Sequence, residues 1–470
     1  MEMTSAASSP RLEVDLDLLK KYNRPGPRYT SYPTAPHFHE SFGPEEYRQE
    51  ILATNAGETP RDLSLYFHFP FCKSLCYFCA CNVVITKDAS RVGHYLGVLK
   101  KEIDIVSNLI DPRRQVVQMH WGGGTPTYMS PDQIRDIFGY IRKKFPFTHE
   151  AEISIEIDPR TISPDHLPAL REAGFNRVSF GLQDVNPEVQ STINRIQTDE
   201  QNAFVINESR RLGFDSINVD LIYGLPHQTV ESYERTLEKI IAWDPDRLAV
   251  FNYAHVPWLK KHQKLLPLEA MPDAADRLRM LKLIIDRLTE AGYAYIGMDH
   301  FAKPGDELTK ALRERTLHRN FQGYSTRAEA DMFAMGVTSI SKLAGAYGQN
   351  LKSLAAYEAA LNEGRLPTAI GLKFSHDDLL RQHVITEIMC NNRIIKRDVE
   401  KKFGITFDSY FADVPEKLNE FVLDGLVLLQ PDRIEVSEAG RLVIRNIAMA
   451  FDAYLKPEAS QEKPIYSRTV

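Results

Sequence analysis

Ile153-Ser154-Ile155-Glu156-Ile157-Asp158 alternates aliphatic and polar side chains with a period of two. Successive side chains of an extended strand point to opposite faces, so one face here is apolar and the other carries Ser154, Glu156 and Asp158. The same division recurs in Val178-Ser179-Phe180-Gly181-Leu182-Gln183, in Ile217-Asn218-Val219-Asp220-Leu221, and in Leu65-Tyr66-Phe67-His68. Strands of a closed barrel with a packed interior read as nearly continuous Val, Ile and Leu. These do not, and unpaired carboxylates in a dry core are costly. The polar face is therefore predicted to line a wet or ligand-filled channel, with helices over the apolar face.

Working outward, residues 62–302 alternate short β-rich runs with longer helical patterns, the βαβ signature of a parallel sheet. Strands are predicted near 63–69, 116–121, 152–158, 177–183, 216–222, 247–253 and 294–299, and helices include 88–109, 131–144 and 229–241. The expected fold is α/β: a partial (β/α) barrel, left open so that a substrate fills its polar interior. Polar residues gather where strands give way to loops: Gly122-Gly123-Gly124-Thr125-Pro126, Asp158-Pro159-Arg160, Gln183-Asp184 and Tyr223-Gly224-Leu225-Pro226. In a βα barrel these loops share the C-terminal rim, where active sites are built.

The loop after the first strand, Phe71-Cys72-Lys73-Ser74-Leu75-Cys76-Tyr77-Phe78-Cys79-Ala80-Cys81, holds four of the chain's five cysteines. Disulfides suit small secreted scaffolds, and a 470-residue chain has no need of them. Structural zinc usually takes a second, distant ligand pair, whereas Cys390 stands alone and reads as a core thiol. An iron–sulfur cluster is the third explanation, and one bound through only three thiolates would keep an open iron for chemistry. The triple glycine lacks the spacing of a dinucleotide fingerprint or a P-loop. A tight turn would explain it, as would close approach of backbone to a ligand on the rim. Glu156, Gln183, Arg195 and Asp220 each read either as members of an ion-pair network in the channel or as ligand contacts.

The net charge of −6 and pI near 6.2 argue against binding nucleic acid by phosphate neutralisation. No run approaches the ~18 apolar residues of a membrane helix, and Met1–Pro10 lacks a secretory apolar core. A cytoplasmic protein with free thiols is expected. Residues 1–60 read as an irregular region, in which Lys21 to Thr34 combines tyrosines, arginines and turn formers and is read as either a linker or a ligand contact. Residues 61–364 are assigned to the barrel, with 317–324 and 336–340 as loops returning to it. Residues 365–470 form a helical unit, with helices near 376–390, 396–403 and 415–424, a ribbon over 427–436 and a last helix from about 438. Three helices and a ribbon resemble a winged helix, with a lid or packing role preferred over DNA binding.

The Cys-x3-Cys-x2-Cys spacing, preceded by Tyr66-Phe67-His68-Phe69-Pro70-Phe71 and followed by Cys81, resembles the cluster loop of radical S-adenosylmethionine enzymes. Within them the chain most resembles the oxygen-independent coproporphyrinogen III oxidase family, across nearly its whole length. Further matches are Pro27-Arg28-Tyr29-Thr30-Ser31-Tyr32-Pro33, Asn252-Tyr253-Ala254-His255, Gly297-Met298-Asp299-His300-Phe301-Ala302 and Leu317-His318-Arg319-Asn320-Phe321-Gln322-Gly323-Tyr324. Related haem chaperones look similar around the cluster but typically lack Cys81 and the N-terminal tyrosine-rich stretch.

The resemblance implies Cys72, Cys76 and Cys79 as ligands of a [4Fe-4S] cluster. It implies Tyr66, Phe78, Gly123 and Glu156 around the S-adenosylmethionine that chelates the open iron. A second S-adenosylmethionine is implied against Gly124, Thr125, Gln183, Arg195, Asp220, Ala254 and Ile340, and Tyr66 and Cys81 are the expected catalytic residues. The implied reaction converts two propionates of coproporphyrinogen III to vinyls through a 5′-deoxyadenosyl radical, with an unidentified electron donor and acceptor. A monomer is expected. Arg28, His300, Lys303 and Arg319 are the candidate cations for the substrate's carboxylates. A non-catalytic haem-delivery protein and a zinc-binding regulatory module are the rival readings.

Overall fold

A computed structural model describes residues 12–455 and 466–469. Its frame is one open twelve-stranded sheet. In chain order the strands are β1 (Leu63–Phe69), β2 (Val116–Gly123), β3 (Phe147–Ile157), β4 (Arg177–Gln183), β5 (Ser216–Tyr223) and β6 (Arg247–Asn252). They continue with β7 (Ala294–Gly297), β8 (His300–Ala302), β9 (Asp331–Met335), β10 (Ile340–Lys342), β11 (Ala346–Asn350) and β12 (Thr368–Lys373). The spatial order is β12-β11-β10-β9-β1-β2-β3-β4-β5-β6-β8-β7. From β9 to β6 all pairs are parallel, and the strands beyond each end are antiparallel. The sheet curls without closing, which is the partial α/β barrel expected from the strand faces.

The alternation is realised as read. In β3, Ile153, Ile155 and Ile157 are buried while Ser154 and Glu156 are half-buried on the opposite face. The apolar face packs under helices whose sequences specify them locally. Pro131–Lys144 starts with a Ser130/Gln133 capping box and proline in its first turn, buries Ile134, Ile137, Phe138 and Ile141 at helical spacing, and ends on Arg142, Lys143 and Lys144. Trp121, fully buried on β2, meets Phe69, Phe138 and Phe175 with ring centroids 4.9, 6.0 and 4.8 Å away. Burying each such ring contributes about 1.5–3 kcal/mol.

Five of the twelve strands were not foreseen: β8 turns back directly after β7, and four more follow later in the chain. β9 to β12 lie past Phe301, where loops returning to the barrel were expected, and β12 extends the sheet beyond residue 364. Residues 336–339 are a loop, but Ile340 opens β10, and 318–325 is an antiparallel hairpin. Near the start of the strands the polar face is closed by a charged network. Arg177 and Arg247 both reach Glu307 at 2.9 Å, and Arg247 also pairs with Asp306 at 2.8 Å.

The C-terminal unit contains His376–Thr386, Lys396–Phe403 and Val414–Leu423 with a three-stranded ribbon of 393–395, 427–429 and 433–436, a winged-helix-like arrangement. The last helical stretch is short, 3-10 over Ala439–Val443 and α over Ile444–Ala448. No described helix is long and apolar enough to cross a membrane.

Candidate functional site

The rim end of the polar face gathers several residues singled out above. Tyr66 on β1 stacks parallel to His120 on β2 at 6.0 Å, and its hydroxyl shares a 3.1 Å hydrogen bond with His68 Nδ1. His120 Nδ1 meets Ser154 Oγ at 2.6 Å and its Nε2 meets Glu156 Oε1 at 3.3 Å. Glu156 Oε2 in turn accepts the Gly123 N–H at 3.2 Å. On β5, Asp220 accepts hydrogen bonds from Asn218 Nδ2 at 2.8 Å and Ser179 Oγ at 3.3 Å. Burial, and then the neighbouring Glu156, push the Asp220 carboxyl up to about 7.

The triple glycine is sterically required. A Cβ on Gly122 would sit 2.8 Å from Glu156 Oε1 and 3.1 Å from the Tyr66 hydroxyl. Gly123 has φ +121°, and a Cβ there would meet the His68 ring. A Cβ on Gly124 would lie 2.6 Å from the Pro70 carbonyl. The close approach fixes the rim to the cysteine loop: Gly124 N–H donates to Phe69 O and Thr125 N–H to Phe71 O.

All five cysteines are free thiols. Cys72 Sγ lies 3.4 Å from Thr125 Oγ1. Cys76 is buried, and its sulfur receives guanidinium donors from Arg160 at 3.5 Å and Arg195 at 3.6 Å. Both arginines also grip Asp158, at 2.7 and 3.2 Å, holding its carboxyl down to about 2 against the effect of burial. Cys79 and Cys81 share a hydrogen bond that lowers the first thiol and raises the second, and Cys81 also feels the Glu156 charge. Among the described residues no three His, Cys, Asp or Glu side chains converge on a point for a single metal ion. Three neighbouring sulfurs, one with two cationic donors, are instead a donor set suited to a larger thiolate-bound group.

Gln183 ends β4 at φ +71°, and a Cβ on Gly181 would collide with its amide, so residues 181–183 bend against Arg195. Phe78 packs with Tyr253 and Leu266 in a small apolar cluster. Ala254 follows β6 and lines a separate cavity with Arg28. Ile340 packs with Phe38, Phe321 and Tyr347, two strands from Tyr66.

Of the candidate substrate cations, Arg28 faces that cavity, paired with Asp299. His300 and Lys303 are corrected. His300 is pushed down to about 3 by burial and by Arg319, so it is neutral at pH 7. Lys303 pairs at the opposite end of the strands with Asp244 and Asp246. Arg319 is buried, its guanidinium over the Tyr324 ring at 4.8 Å, and it lines a small cleft beneath Tyr29–Tyr32.

Sequence reasoning missed the segment that braces the cysteine loop. Lys260 Nζ donates to Cys81 O at 2.9 Å, His262 Nε2 lies 2.7 Å from Cys79 O, and Gln263 Nε2 donates to Phe78 O at 2.9 Å. Gln263 is fully buried and its Oε1 accepts the Val256 N–H at 2.6 Å. No sequence signal marked this segment, because the burial of the Gln263 amide shows only in the fold.

An open β/α barrel whose first strand runs into a Cys-x3-Cys-x2-Cys loop, with a glycine bend and a carboxylate beneath it, defines the class of radical S-adenosylmethionine proteins. Residues 66–240 match the Radical SAM superfamily, and residues 374–443 match the HemN C-terminal domain. Oxygen-independent coproporphyrinogen III oxidase from Synechocystis is 46% identical over 98% of this chain and 99% of its own. The Escherichia coli protein of that name is 44% identical over 98% of this chain and its entire length. A solved structure of coproporphyrinogen III oxidase (HemN) from E. coli, described as a radical SAM enzyme, superimposes with a TM-score of 0.90 over 95% of this chain and all of its own. The chain belongs to the oxygen-independent coproporphyrinogen III oxidase family.

Proposed function

We propose that this chain catalyses the oxygen-independent oxidative decarboxylation of two propionates of coproporphyrinogen III to vinyl groups, giving protoporphyrinogen IX for haem and porphyrin biosynthesis. Its relatives carry that name along their full length. Membership of the radical SAM superfamily implies a [4Fe-4S] cluster and S-adenosylmethionine. Cys72, Cys76 and Cys79 would hold the cluster, and when bound the pair supplies the radical chemistry that removes hydrogen from a propionate β-carbon.

The remaining work falls to the protein. Glu156 would offer an acceptor to an ammonium group, and the side-chain-free Gly122 to Gly124 would let it come close, with Tyr66 and Phe78 as flanking walls. Gly124, Thr125, Gln183, Arg195, Asp220, Ala254 and Ile340 would contact a second S-adenosylmethionine. Asp220, half-protonated near pH 7, can donate to or accept from a ribose hydroxyl. Tyr66 and Cys81 are assigned to catalysis on the family resemblance, and both lie close enough to Glu156 to feel its charge. Residues 1–60 would contact substrate, 61–364 carry the chemistry and 365–470 cover the channel, in a cytoplasmic monomer served by an electron donor and acceptor of other identity.

The observation that carries this reading is the pair of guanidinium donors on Cys76 beside two further loop thiols. Anaerobic reconstitution with iron and sulfide, followed by chromatography of products formed with reductant and S-adenosylmethionine, tests it. Protoporphyrinogen should form. A reconstituted protein that binds haem stably and leaves the porphyrinogen intact would mark a haem-delivery protein instead.

A further inference from the structure

Between the rim after β5 and β6, the helix Ala274–Glu290, the N-terminal segment and the C-terminal tail lies a cavity of about 480 Å³. That volume falls in the usual range for small-molecule sites, about 300–1,000 Å³. Its lining holds five guanidinium groups, Arg28, Arg277, Arg441, Arg445 and Arg468, against a single carboxylate, Asp299. Arg28 pairs with Asp299 and Arg441 with Glu438. The other three have no carboxylate partner among the described residues.

Arg445 is buried and, among the described residues, donates to the backbone carbonyls of Gly26, Pro27, Arg468 and Thr469, so it closes the cavity with no carboxylate in hydrogen-bond reach and Asp299 acting on it at longer range. Arg277 uses Nε on Pro272 O, and Arg468 uses Nη1 on Asn23 O. Among the described residues, the remaining terminal N–H groups of both have no hydrogen-bond partner. A protein of net charge −6 that concentrates unpaired guanidiniums around one hollow has built an anion receptor there. Leu278, Leu281 and Met298 supply apolar walls.

The cavity is coupled to the cysteine loop. Gln263 accepts from Val256 N–H and donates to Ala254 O at 3.3 Å, both in the cavity wall, and donates to Phe78 O in the loop. One buried side chain thus holds the anion receptor and the expected cluster site in a fixed relation.

We infer that this cavity holds the two carboxylates of the substrate that are not lost in the reaction, with Arg277 and Arg468 as their primary hydrogen-bond donors. The inference rests on the function proposed above. A tetracarboxylate whose two propionates react keeps the other two through every stage, so a receptor for them binds substrate and transition state equally. Its loss raises KM and leaves kcat nearly unchanged. Loss of one charge-assisted contact corresponds to about ten- to hundredfold in affinity.

The test uses coproporphyrin III, the oxidised tetracarboxylate, with quenching of Trp258, which lines the cavity and is 53% exposed, as the readout. Arg277→Gln and Arg468→Gln should each weaken binding by about ten- to hundredfold. Arg277→Lys should recover part of that loss, and the tetramethyl ester should bind wild-type protein no better than it binds the variants. In turnover assays KM should rise with kcat within about twofold. Unchanged affinity and KM in both glutamine variants, each unfolding at the wild-type temperature, would overturn the inference while leaving the enzymatic reading intact. Wild-type protein that binds coproporphyrin through these arginines yet never decarboxylates the porphyrinogen would uphold the receptor and sink the reading beneath it.

Discussion

Gln263→Leu isolates the brace between the cavity wall and the cysteine loop. Leucine has nearly the same bulk, so the change removes hydrogen bonds with little loss of packing. Three groups lose this partner, two of them from short bonds, the Val256 N–H, 2.6 Å from Oε1, and the Phe78 carbonyl, 2.9 Å from Nε2, and the Ala254 carbonyl from a longer one of 3.3 Å. An orphaned buried polar group costs about 1–3 kcal/mol, giving roughly 2–6 kcal/mol of local destabilisation from the two short bonds. The cost is local because Gln263 sits in a short 3-10 segment outside the sheet. Hydrogen exchange of peptides spanning 254–263 and 75–81, compared with one spanning β3, reads it directly. At 1.4 kcal/mol per tenfold, even the lower bound predicts roughly thirtyfold faster exchange in both rim peptides and no change in β3. Gln263→Glu should behave similarly at pH 8, where a carboxylate faces the Phe78 and Ala254 carbonyls, and recover as acid protonates it. Wild-type exchange rates across 254–263 in Gln263→Leu would refute the reasoning.

Glu102 is buried on the helix Ser90–Leu109, accepting from Gly336 N–H at 2.7 Å, from Asn350 Nδ2 at 2.6 Å and from the Tyr357 hydroxyl. Burial pushes its carboxyl up to about 7, from an ordinary 4.5, despite those donors. The folded state then holds a proton that the unfolded chain has released, so this group's contribution falls as pH rises from about 4.5 through about 7, by roughly 3 kcal/mol. The difference in urea midpoint between wild type and Glu102→Gln, followed from pH 5 to 8, should drift against the wild type, and a flat difference would contradict the assignment. Gly124→Ala should disrupt the rim, since its Cβ would lie 2.6 Å from the Pro70 backbone, and abolish S-adenosylmethionine binding by calorimetry. Gly97→Ala, in mid-helix with nothing within 4 Å, should be neutral or stabilise by about 0.5–1 kcal/mol in the same assay series.

The run of parallel strands from β1 to β6 was legible because β1, β3, β4 and β5 carry the same two-faced alternation, and its helices begin with caps such as Ser130 and Thr229 and close on an amphipathic stripe. The strands past Phe301 were not. Asp331-Met332-Phe333-Ala334-Met335 is buried throughout, so no period-two signal survives, and its pairing with β1 spans more than 260 residues. Asp331 reads as a loop residue until its buried partner Arg114, 2.6 Å away, is seen. The cysteines, glycines and acids of the rim were legible as residue types, since their chemistry is unusual wherever they stand. His300 and Lys303 misled because a cation's role depends on its neighbours: one is desolvated into neutrality, the other already paired. Gln263 carries no charge and no motif, and only the tertiary arrangement reveals what its amide holds.

The most direct test of the account is electron paramagnetic resonance of oxygen-free, reconstituted and reduced protein, recorded before and after adding S-adenosylmethionine. A four-iron signal should appear and shift when the small molecule takes the iron left open by Cys72, Cys76 and Cys79. A protein without iron, or a cluster whose spectrum is indifferent to S-adenosylmethionine, would contradict it.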